Sequence, residues 1–333
     1  MLRALLLVAG LVLLVYLVVR LGPGEVWALI AGIGWGFAPV VAFYAVHQGF
    51  RAWALRLSAV RAEAVRFGDA LAIRLSGEAV QFLTSTGPFL AEPSKALLLG
   101  RRGLTKTEGF AATIAEYLAY TLVSAVMLVG ATWYLTTQVA LAPALHYTAT
   151  VLFVSSGLFV AVAAVAIARR IYLIGGVAAR LSRAPWLGRR LKLEAGAVRR
   201  MEDLLLAVLR ERPARFAAIL LLEACSHALL VVELWWILRV TGVESAFDRA
   251  LVLESAGKFT GLAFFFVPAQ LGASEGVNVV LFRALGLAGA AGVGVALARR
   301  IRSAVTASAG LAALALMTRR AKSAGDGAAP TRP

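Results

Sequence analysis

The chain has 333 residues, of which 60% are hydrophobic and 16% charged, with a mean hydropathy of +0.81. Soluble domains are about 45–50% apolar and about 25% charged, so a soluble fold would expose much of this apolar surface, and we expect an integral membrane protein. The net charge of +16 is typical of nucleic-acid-binding proteins, but basic loops also mark the cytoplasmic face of membrane proteins. We favour the second explanation and expect no nucleic-acid partner.

The cysteine and histidine content argues against disulfide and metal chemistry. The single cysteine, Cys225, excludes an internal disulfide and a cysteine-based metal cluster. The three histidines are scattered along the chain. We therefore expect no metal site and no cofactor.

Long uncharged stretches predict the membrane-spanning helices. Residues 4–19 predict a first helix that is retained, because no small-x-small cleavage site follows it. Residues 26–50 are long enough for a second span at about 20 residues per crossing. Residues 117–168 carry no formal charge and predict two helices joined by a polar turn. Residues 216–238 predict a further span, which is unusual in carrying Glu223, His227 and Glu233.

The loop at 169–215 is rich in arginine, whereas the opposite loop at 135–146 has no formal charge. The positive-inside rule places the basic loop in the cytoplasm. Apolar residues recur within it at helical spacing and predict an amphipathic helix in the lipid headgroup layer, the alternative being a solvated linker helix. These apolar residues are Leu191, Val198, Met201, Leu205 and Val208.

Two segments, 69–99 and 254–282, do not fit simple crossings because each combines charged residues with a central Pro and Gly. Irregular backbone at membrane depth is tolerated only where it is buried in protein or lines a cavity. Both segments therefore predict re-entrant helical hairpins. The predicted turn residues are Thr84, Thr86, Gly87 and Pro88 in the first hairpin, and Pro268 and Gly272 in the second.

A shift of 183 residues places Trp53 on Trp236, and Arg56 on Arg239. It also places Glu92 on Glu275. We infer an internal repeat within a single membrane domain covering 1–333, with repeat 1 at 37–133 and repeat 2 at 217–316. Three crossings separate the hairpins, so one hairpin opens to each side of the membrane. Such inverted-topology repeats build a midplane site in many transporters.

The same shift helps to interpret the basic cluster near the C-terminus, which consists of Arg299, Arg300 and Arg302. It places Arg299 on Glu116, which begins a full crossing, so 290–316 is predicted as one helix rather than two short ones. The remaining 319–333 form a cytoplasmic tail. The predicted fold class is an all-α polytopic membrane protein with about six transmembrane helices, two re-entrant hairpins and both termini in the cytoplasm.

Two motifs resemble those of a known family. Gly77-Glu78, followed by Ala-Glu-Pro-Ser-Lys-Ala-Leu-Leu-Leu at 91–99, is similar to the first signature of the lysylphosphatidylglycerol synthase transmembrane, or flippase-like, family. Pro-Ala-Gln-Leu-Gly-Ala-Ser-Glu-Gly at 268–276 resembles the second, with Ala269 and Gln270 in place of a double glycine. The resemblance implies lipid translocation rather than lipid synthesis, because we expect no aminoacyl-transferring domain in the short tail.

Each charge at the bilayer centre costs about 2.5–3.5 kcal/mol, so each needs a partner or a purpose. Taken singly, a structural ion pair or helix cap explains such a residue as well as a substrate contact does. Glu92 and Glu275 are predicted to be the coupling or headgroup residues, and Glu116 and Arg299 to pair across the repeat axis. The predicted substrate-binding or coupling residues are Glu78, Glu92, Lys95, Glu116, Lys258, Gln270, Ser274, Glu275, Arg299 and Arg300.

The leading hypothesis is translocation of a lipid or lipid-linked headgroup across the bacterial inner membrane. The candidate lipids are an anionic or aminoacylated phospholipid, a polyprenyl phosphate and a hopanoid. An intramembrane lipid-modifying enzyme is the first alternative, but no known catalytic motif is present and we expect no enzyme activity. The second alternative is an accessory scaffold for lipid-biosynthetic enzymes.

Overall fold

The computed structural model describes residues 23–84, 87–169, 171–172, 195–243, 246–264 and 270–326, together with the single residues 19, 176 and 267. This part of the chain is helical and contains no strand. The predicted all-α fold is therefore confirmed. The predicted first helix at 4–19 lies outside the described residues except for Val19.

The described α-helices follow one another in chain order. They are α1 Pro23–Ile33, α2 Phe37–Ser58, α3 Phe67–Thr84, α4 Pro88–Gly100, α5 Lys106–Gln138, α6 Pro143–Arg169, α7 Ala195–Leu206, α8 Pro213–Val240, α9 Phe247–Ala263, α10 Ala273–Ala284 and α11 Gly289–Asp326. Short 3-10 turns lie at Gly34–Gly36 and Ala62–Ala64, and a π-helical turn at Ala207–Glu211 follows α7.

Three of these helices, α5, α6 and α8, are long and apolar enough to cross a membrane. Helices α5 and α6 correspond to the two spans predicted for 117–168. A capping box begins α5, in which the Thr105 side chain accepts from the Glu108 amide and the Glu108 carboxylate accepts from the Thr105 amide. Three of the predicted spans are therefore helices that are long and apolar enough to cross a membrane, and the total of about six spans stays a prediction.

The predicted span at 26–50 is divided in the structure. The 3-10 turn at Gly34–Gly36 interrupts it, and Gly34 has a φ of +45°, a left-handed conformation that favours glycine. Helix α2 therefore begins only at Phe37 and continues to Ser58, well past the end of the uncharged stretch. Arg51 therefore lies within α2, where it is buried.

Each predicted hairpin consists of two helices that pack against each other. In the first, α3 ends at Thr84 and α4 begins at Pro88, after Gly87 with a φ of +56°. In the second, α9 and α10 are in contact, and Gly272 precedes α10 with a φ of +75°. Thr86 and Pro268 lie outside the described residues. The membrane depth of the hairpins stays a prediction.

The helices of the two halves interlock. Helices α2 and α8 pack along each other at the centre, while α3 packs on α11 and α9 packs on α5. The first arm of each hairpin is thus covered by the last long helix of the other half. Gly310 on α11 makes this approach possible, because a Cβ at that position would collide with the carbonyl oxygen of Leu75 on α3. The inverted relation of the two halves stays a prediction.

The basic cluster lies within one continuous helix. Helix α11 runs from Gly289 to Asp326 and carries Arg299, Arg300 and Arg302 in its first half. The single-helix prediction for 290–316 is therefore confirmed, and the helix continues eight residues into the stretch predicted as a tail, 319–326.

The predicted amphipathic helix corresponds to α7 and the π-helical turn. Helix α7 packs on α5, and both Leu205 and Val208 are buried against neighbouring helices. Val198 and Met201 are half-buried, whereas Leu191 lies outside the described residues. The apolar face therefore packs against protein, and its location in the headgroup layer stays a prediction.

Candidate functional site

Seven charged side chains from five helices of the bundle form a first network. It consists of Arg51 on α2, Arg74 and Glu78 on α3, Glu92 and Lys95 on α4, Glu116 on α5 and Glu223 on α8.

Glu116 lies at the centre of the first network and is completely buried. Its Oε1 is 2.5 Å from Nη2 of Arg51 and 4.0 Å from Nη1 of Arg74, and its Oε2 is 3.0 Å from Nζ of Lys95. Lys95 also contacts Glu92 at 2.8 Å, and Arg74 contacts Glu78 at 2.5 Å. Three helices thus supply cations to one buried carboxylate, which compensates its desolvation.

Glu223 joins this network more loosely. Its Oε2 lies 3.4 Å from Nε of Arg51 and accepts a hydrogen bond of 3.2 Å from Ser226 Oγ. Its Oε1 is buried and has no hydrogen-bond partner among the described residues. Among the four carboxylates of the first network, Glu223 is the one that lies farthest from its nearest cation.

Two buried histidines contact backbone carbonyl groups of α8 at and just after Glu223. Nδ1 of His47 is 2.9 Å from the carbonyl oxygen of Ser226, and Nδ1 of His227 is 2.8 Å from the carbonyl oxygen of Glu223. A carbonyl oxygen only accepts, so each Nδ1 carries a proton and donates it. Nε2 of His227 lies 2.7 Å from Ser124 Oγ, which makes His227 a polar contact between α8 and α5.

The second network mirrors the first in size. It consists of Glu233 on α8, Glu254 and Lys258 on α9, Glu275 on α10, and Arg299, Arg300 and Arg302 on α11.

Each acid of the second network has a close cation. Nη1 of Arg299 is 2.6 Å from Glu254, and Nζ of Lys258 is 2.7 Å from the same carboxylate. Nη2 of Arg300 lies 2.5 Å from Glu275. In addition, Nη1 of Arg302 lies 2.5 Å from Glu233, which Nε of Arg299 approaches at 3.8 Å. The predicted residue Ser274 belongs here too, because its hydroxyl donates to Glu275 at 3.0 Å.

The predicted pairing of Glu116 with Arg299 is wrong. Glu116 is held by cations of its own half, and Arg299 is held by Glu254 and Glu233. The physical reason is that cations of the first half compensate Glu116 and carboxylates of the second half compensate Arg299, so neither residue needs the other. Gln270 has a φ of +51° in the connection before α10 and lies outside both networks.

The two halves place opposite charges at equivalent positions. Glu116 and Arg299 correspond at the 183-residue shift. A shift of 180 residues places Arg74 on Glu254, and Glu78 on Lys258, and both pairs are ion pairs one helical turn apart. The order of charges is reversed between the pairs. The networks therefore resemble each other in geometry and differ in sign.

The partly exposed ends of the two networks also differ in sign. In the first network the side chains of Glu78 and Glu92 are 19% and 14% exposed, whereas its cations are at most 6% exposed. In the second, Arg299 and Arg300 are 24% and 23% exposed, whereas its carboxylates are at most 4% exposed. One network thus presents carboxylates outward and the other presents guanidinium groups.

Two tyrosines lie between the networks. The hydroxyl of Tyr44 donates to Glu78 at 3.4 Å, and the guanidinium of Arg302 lies 3.7 Å from the centre of the same ring. The guanidinium of Arg51 lies 3.8 Å from the centre of the Tyr120 ring, and Nζ of Lys258 lies 5.8 Å from it. These cation–π contacts connect the two networks directly.

Sequence reasoning missed several members of this site. It did not select Tyr44, Tyr120, Arg51, Arg74, Glu233 or Arg302. The available signal was the spacing of four between Arg74 and Glu78, and the position of Glu233 in the middle of an apolar span. The predicted residues Glu78, Glu92, Lys95, Glu116, Lys258, Glu275, Arg299 and Arg300 all lie in one network or the other.

An apolar groove of about 850 Å³ lies between α5, α6, α8 and α9. Its walls include Val123 and Met127 of α5, Ala224 of α8 and Leu251 of α9. Two of its lining residues are close in sequence to members of the charged site, because Val123 is one turn after Tyr120 on α5 and Ala224 directly follows Glu223 on α8. Within the part of the chain that the structure describes, no group of His, Cys, Asp and Glu side chains could hold a metal ion.

An apolar helical bundle with charged side chains buried in paired networks defines an integral membrane protein with a polar interior. The chain belongs to the family described as Lysylphosphatidylglycerol synthase TM region, whose sequence profile matches residues 1–310. The family resemblance of the two motifs is therefore confirmed, and it links the chain to lipid biosynthesis or transport in membranes. No curated protein and no solved structure matches the chain.

Proposed function

We propose that this protein moves a lipid across the bacterial inner membrane, with the headgroup passing between the two networks. The observation that carries the proposal is the opposite sign of their exposed ends, Glu78 and Glu92 on one side and Arg299 and Arg300 on the other. Family membership supports a role connected with lipids. The proposed orientation has both termini in the cytoplasm, and the proposed activity involves no covalent change to the lipid.

The energetic argument starts from the burial of these charges. An ionisable residue inside a membrane bundle costs several kcal/mol unless it is paired, and a buried ion pair is often no more stable than apolar residues of similar size. Stability alone thus gives little reason to retain seven charged side chains in each network. A polar path for a charged headgroup does give a reason, because it replaces the water that the headgroup loses.

The chemistry of the exposed ends fits a lipid headgroup. Guanidinium groups bind phosphate through paired N–H donors, so Arg299 and Arg300 suit the phosphate of a phospholipid or polyprenyl phosphate. Glu78 and Glu92 suit hydroxyl or ammonium groups farther out on the headgroup. The apolar groove beside Tyr120 suits the hydrocarbon chains, which then never leave an apolar environment.

The test uses the purified chain in proteoliposomes that contain a trace of labelled lipid. Transbilayer movement is scored for phosphatidylglycerol, its aminoacylated form, a polyprenyl phosphate and a hopanoid, with and without a pH gradient. We expect selective movement of at least one lipid, which Glu78→Gln and Arg299→Gln reduce at least tenfold.

The matched control is Arg61→Gln, because Arg61 pairs with Glu108 at the protein surface and lies outside both networks. This variant should move lipid at the wild-type rate. Absence of movement for every lipid would contradict the proposal. Mass spectrometry of the recovered lipids completes the test, since a covalently altered lipid would indicate an enzyme instead.

A further inference from the structure

We propose that each hairpin carries, at its base, a binding site for one anionic phospholipid, and that the two sites lie on opposite faces of the membrane. At each site two arginines bind the headgroup phosphate, and a pair of aromatic rings contacts the start of the acyl chains. This inference rests on the proposed function where it makes the sites the points at which a lipid enters and leaves. The observation behind it is a contact pattern that occurs in both halves of the chain.

The pattern of the first half lies where α2 ends and α3 begins. The ring centres of Trp53 and Phe67 are 5.4 Å apart, and the guanidinium of Arg56 lies 5.9 Å from the centre of the Trp53 ring. Nε of Arg56 donates to the carbonyl oxygen of Val65 at 2.8 Å, which places Arg56 beside the peptide bond that leads to Arg66. Two cations and an aromatic pair therefore meet at the base of the first hairpin.

The pattern of the second half lies where α8 ends and α9 begins. The ring centres of Trp235 and Phe247 are 6.3 Å apart, and the guanidinium of Arg239 lies 5.1 Å from the centre of the Trp235 ring. Arg249 follows Phe247 in the first turn of α9. The same kinds of side chain therefore meet at the base of the second hairpin.

The two patterns are related by the internal repeat. The shift of 183 residues places both arginines of the first pattern on the arginines of the second. Both phenylalanines are the first residue of the first arm of their hairpin. The tryptophans differ by one position, because Trp53 corresponds to Trp236 whereas the arginine of the second pattern lies over Trp235. Nε1 of Trp236 donates instead to the carbonyl oxygen of Gly36 at 2.9 Å.

The side chains of both sites are accessible to a ligand. Trp53, Phe67 and Phe247 are 45%, 37% and 49% exposed. Arg66 and Arg239 are exposed as well, and no carboxylate within the described part of the chain forms an ion pair with either of them. Their guanidinium groups are therefore able to bind an anion.

Two general reasons for basic residues at helix ends do not account for the whole pattern. A cation in the last turn of a helix interacts favourably with the helix dipole, which suits Arg56 and Arg239. Arg66 and Arg249 lie at the start of the next helix, where the dipole disfavours a cation. The positive-inside rule applies to the first site, whereas the proposed orientation places the second site in the periplasm. A bound anion stabilises the arginines at both sites.

The chemistry of the pattern fits a phospholipid. A guanidinium group that lies over an aromatic ring keeps its N–H donors at its edge, where they bind phosphate in pairs. Exposed aromatic rings near helix ends lie at the level of the lipid headgroups, so the acyl chains of the same lipid begin beside them. Soluble phosphate would contact only the arginines, and an uncharged lipid would contact only the rings. A phospholipid uses both.

The experiment uses native mass spectrometry to count the phosphatidylglycerol molecules that bind to the full, delipidated chain in detergent. The double variants Arg56→Gln/Arg66→Gln and Arg239→Gln/Arg249→Gln should each bind one molecule fewer than the wild type, because the Kd of one site rises at least tenfold. The combined variant should bind two fewer. Diacylglycerol, which lacks the phosphate, and glycerol 3-phosphate, which lacks the chains, should not occupy the sites at the same concentrations.

The matched control is Arg101→Gln/Lys106→Gln, which removes two exposed charges beside the first site and leaves both aromatic pairs intact. This variant should bind as many lipids as the wild type. If an arginine variant does not fold, a phosphatidylglycerol with a photoreactive group near its glycerol is crosslinked to the wild type. The crosslinks should then map to the peptides that contain Phe67 and Phe247.

An unchanged lipid count in either double variant, an equal loss in the control, equal binding of diacylglycerol, or crosslinks at other peptides would overturn the sites. Their role in entry and exit is tested in proteoliposomes, where each double variant should slow lipid movement at least threefold. Movement at the wild-type rate after loss of binding would overturn this role alone. Absence of movement in the wild type would contradict the proposed function, and the lipid count would still decide whether the sites exist.

Discussion

Gly77 on α3 lies directly against the side chain of Lys95 on α4. A Cβ at position 77 would lie 2.8 Å from Cγ and 2.9 Å from Cδ of Lys95, closer than two carbon atoms can approach without movement. The missing side chain of Gly77 therefore leaves the space through which Lys95 reaches Glu116. The glycine next to Glu78 in the first motif thus has a packing role.

The first prediction concerns this contact. Gly77→Ala should lower the free energy of unfolding by about 1–3 kcal/mol, because an added methyl group in a packed interior forces its neighbours to shift. Thermal unfolding in detergent measures the change. Gly100→Ala is the control, since Gly100 ends α4 with nothing within 4 Å of its Cβ position. Equal stability of the two variants would contradict the packing role.

The second prediction concerns Glu116 and follows from the observed ion pairs. Glu116→Gln should cost about 3–5 kcal/mol, because it leaves buried cations without their carboxylate. Combined with Arg51→Met, it should cost less than the sum of the two single changes, because the residues contact each other at 2.5 Å. Combined with Arg299→Met, the losses should add.

Unfolding in detergent of the three single variants, the two double variants and the wild type tests this pattern. A strong coupling between Glu116 and Arg299, with none between Glu116 and Arg51, would restore the pairing that the sequence repeat predicted.

The third prediction distinguishes the two glutamates of the repeat. Glu275 is fully buried and contacts Arg300 at 2.5 Å, so Glu275→Gln should lower the stability by about 3 kcal/mol. Glu92 is partly exposed, and its partner Lys95 also has Glu116, so Glu92→Gln should cost less than about 1 kcal/mol. Thermal unfolding of the two variants provides the comparison. Similar losses of stability in the two variants would show that exposure and shared partners do not determine the effect of removing the carboxylate.

The fourth prediction concerns the orientation of the hairpins. In a Cys225→Ala background, a cysteine at the exposed Arg101, after α4, should react with a membrane-impermeant maleimide only from the cytoplasm. A cysteine at the exposed Arg283, in α10, should react only from the periplasm. Labelling of spheroplasts and inverted vesicles measures both. Reaction of both positions from the same side would rule out the inverted-topology repeat.

The helices that the sequence predicted well are those whose signal is local. Helices α5, α6 and α8 follow from long uncharged stretches, and the breaks at Gly87 and Gly272 follow from Pro and Gly in polar surroundings. The continuity of α11 depended on the repeat rather than on hydropathy, since three arginines interrupt its apolar pattern.

The partners within the site were not predictable in this way, because they depend on how helices pack. Arg51 ends an uncharged stretch and has the pattern of a flanking residue. In the structure α2 continues seven residues beyond Arg51 to Ser58, and helix packing then places Arg51 against Glu116 and Glu223. Tyr44 and Tyr120 carry no charge, and only the structure shows the guanidinium groups that lie over their rings.

The interlocked packing of the halves has a consequence for the synthesis of the protein. Helix α3 emerges from the ribosome early, but the helix that covers it, α11, is translated more than two hundred residues later. The first hairpin therefore reaches its final packing only after α11 has been synthesised. Membrane chaperones and quality-control proteases would meet this intermediate in every molecule made, and a nascent chain that stalls before α11 would be a substrate for degradation.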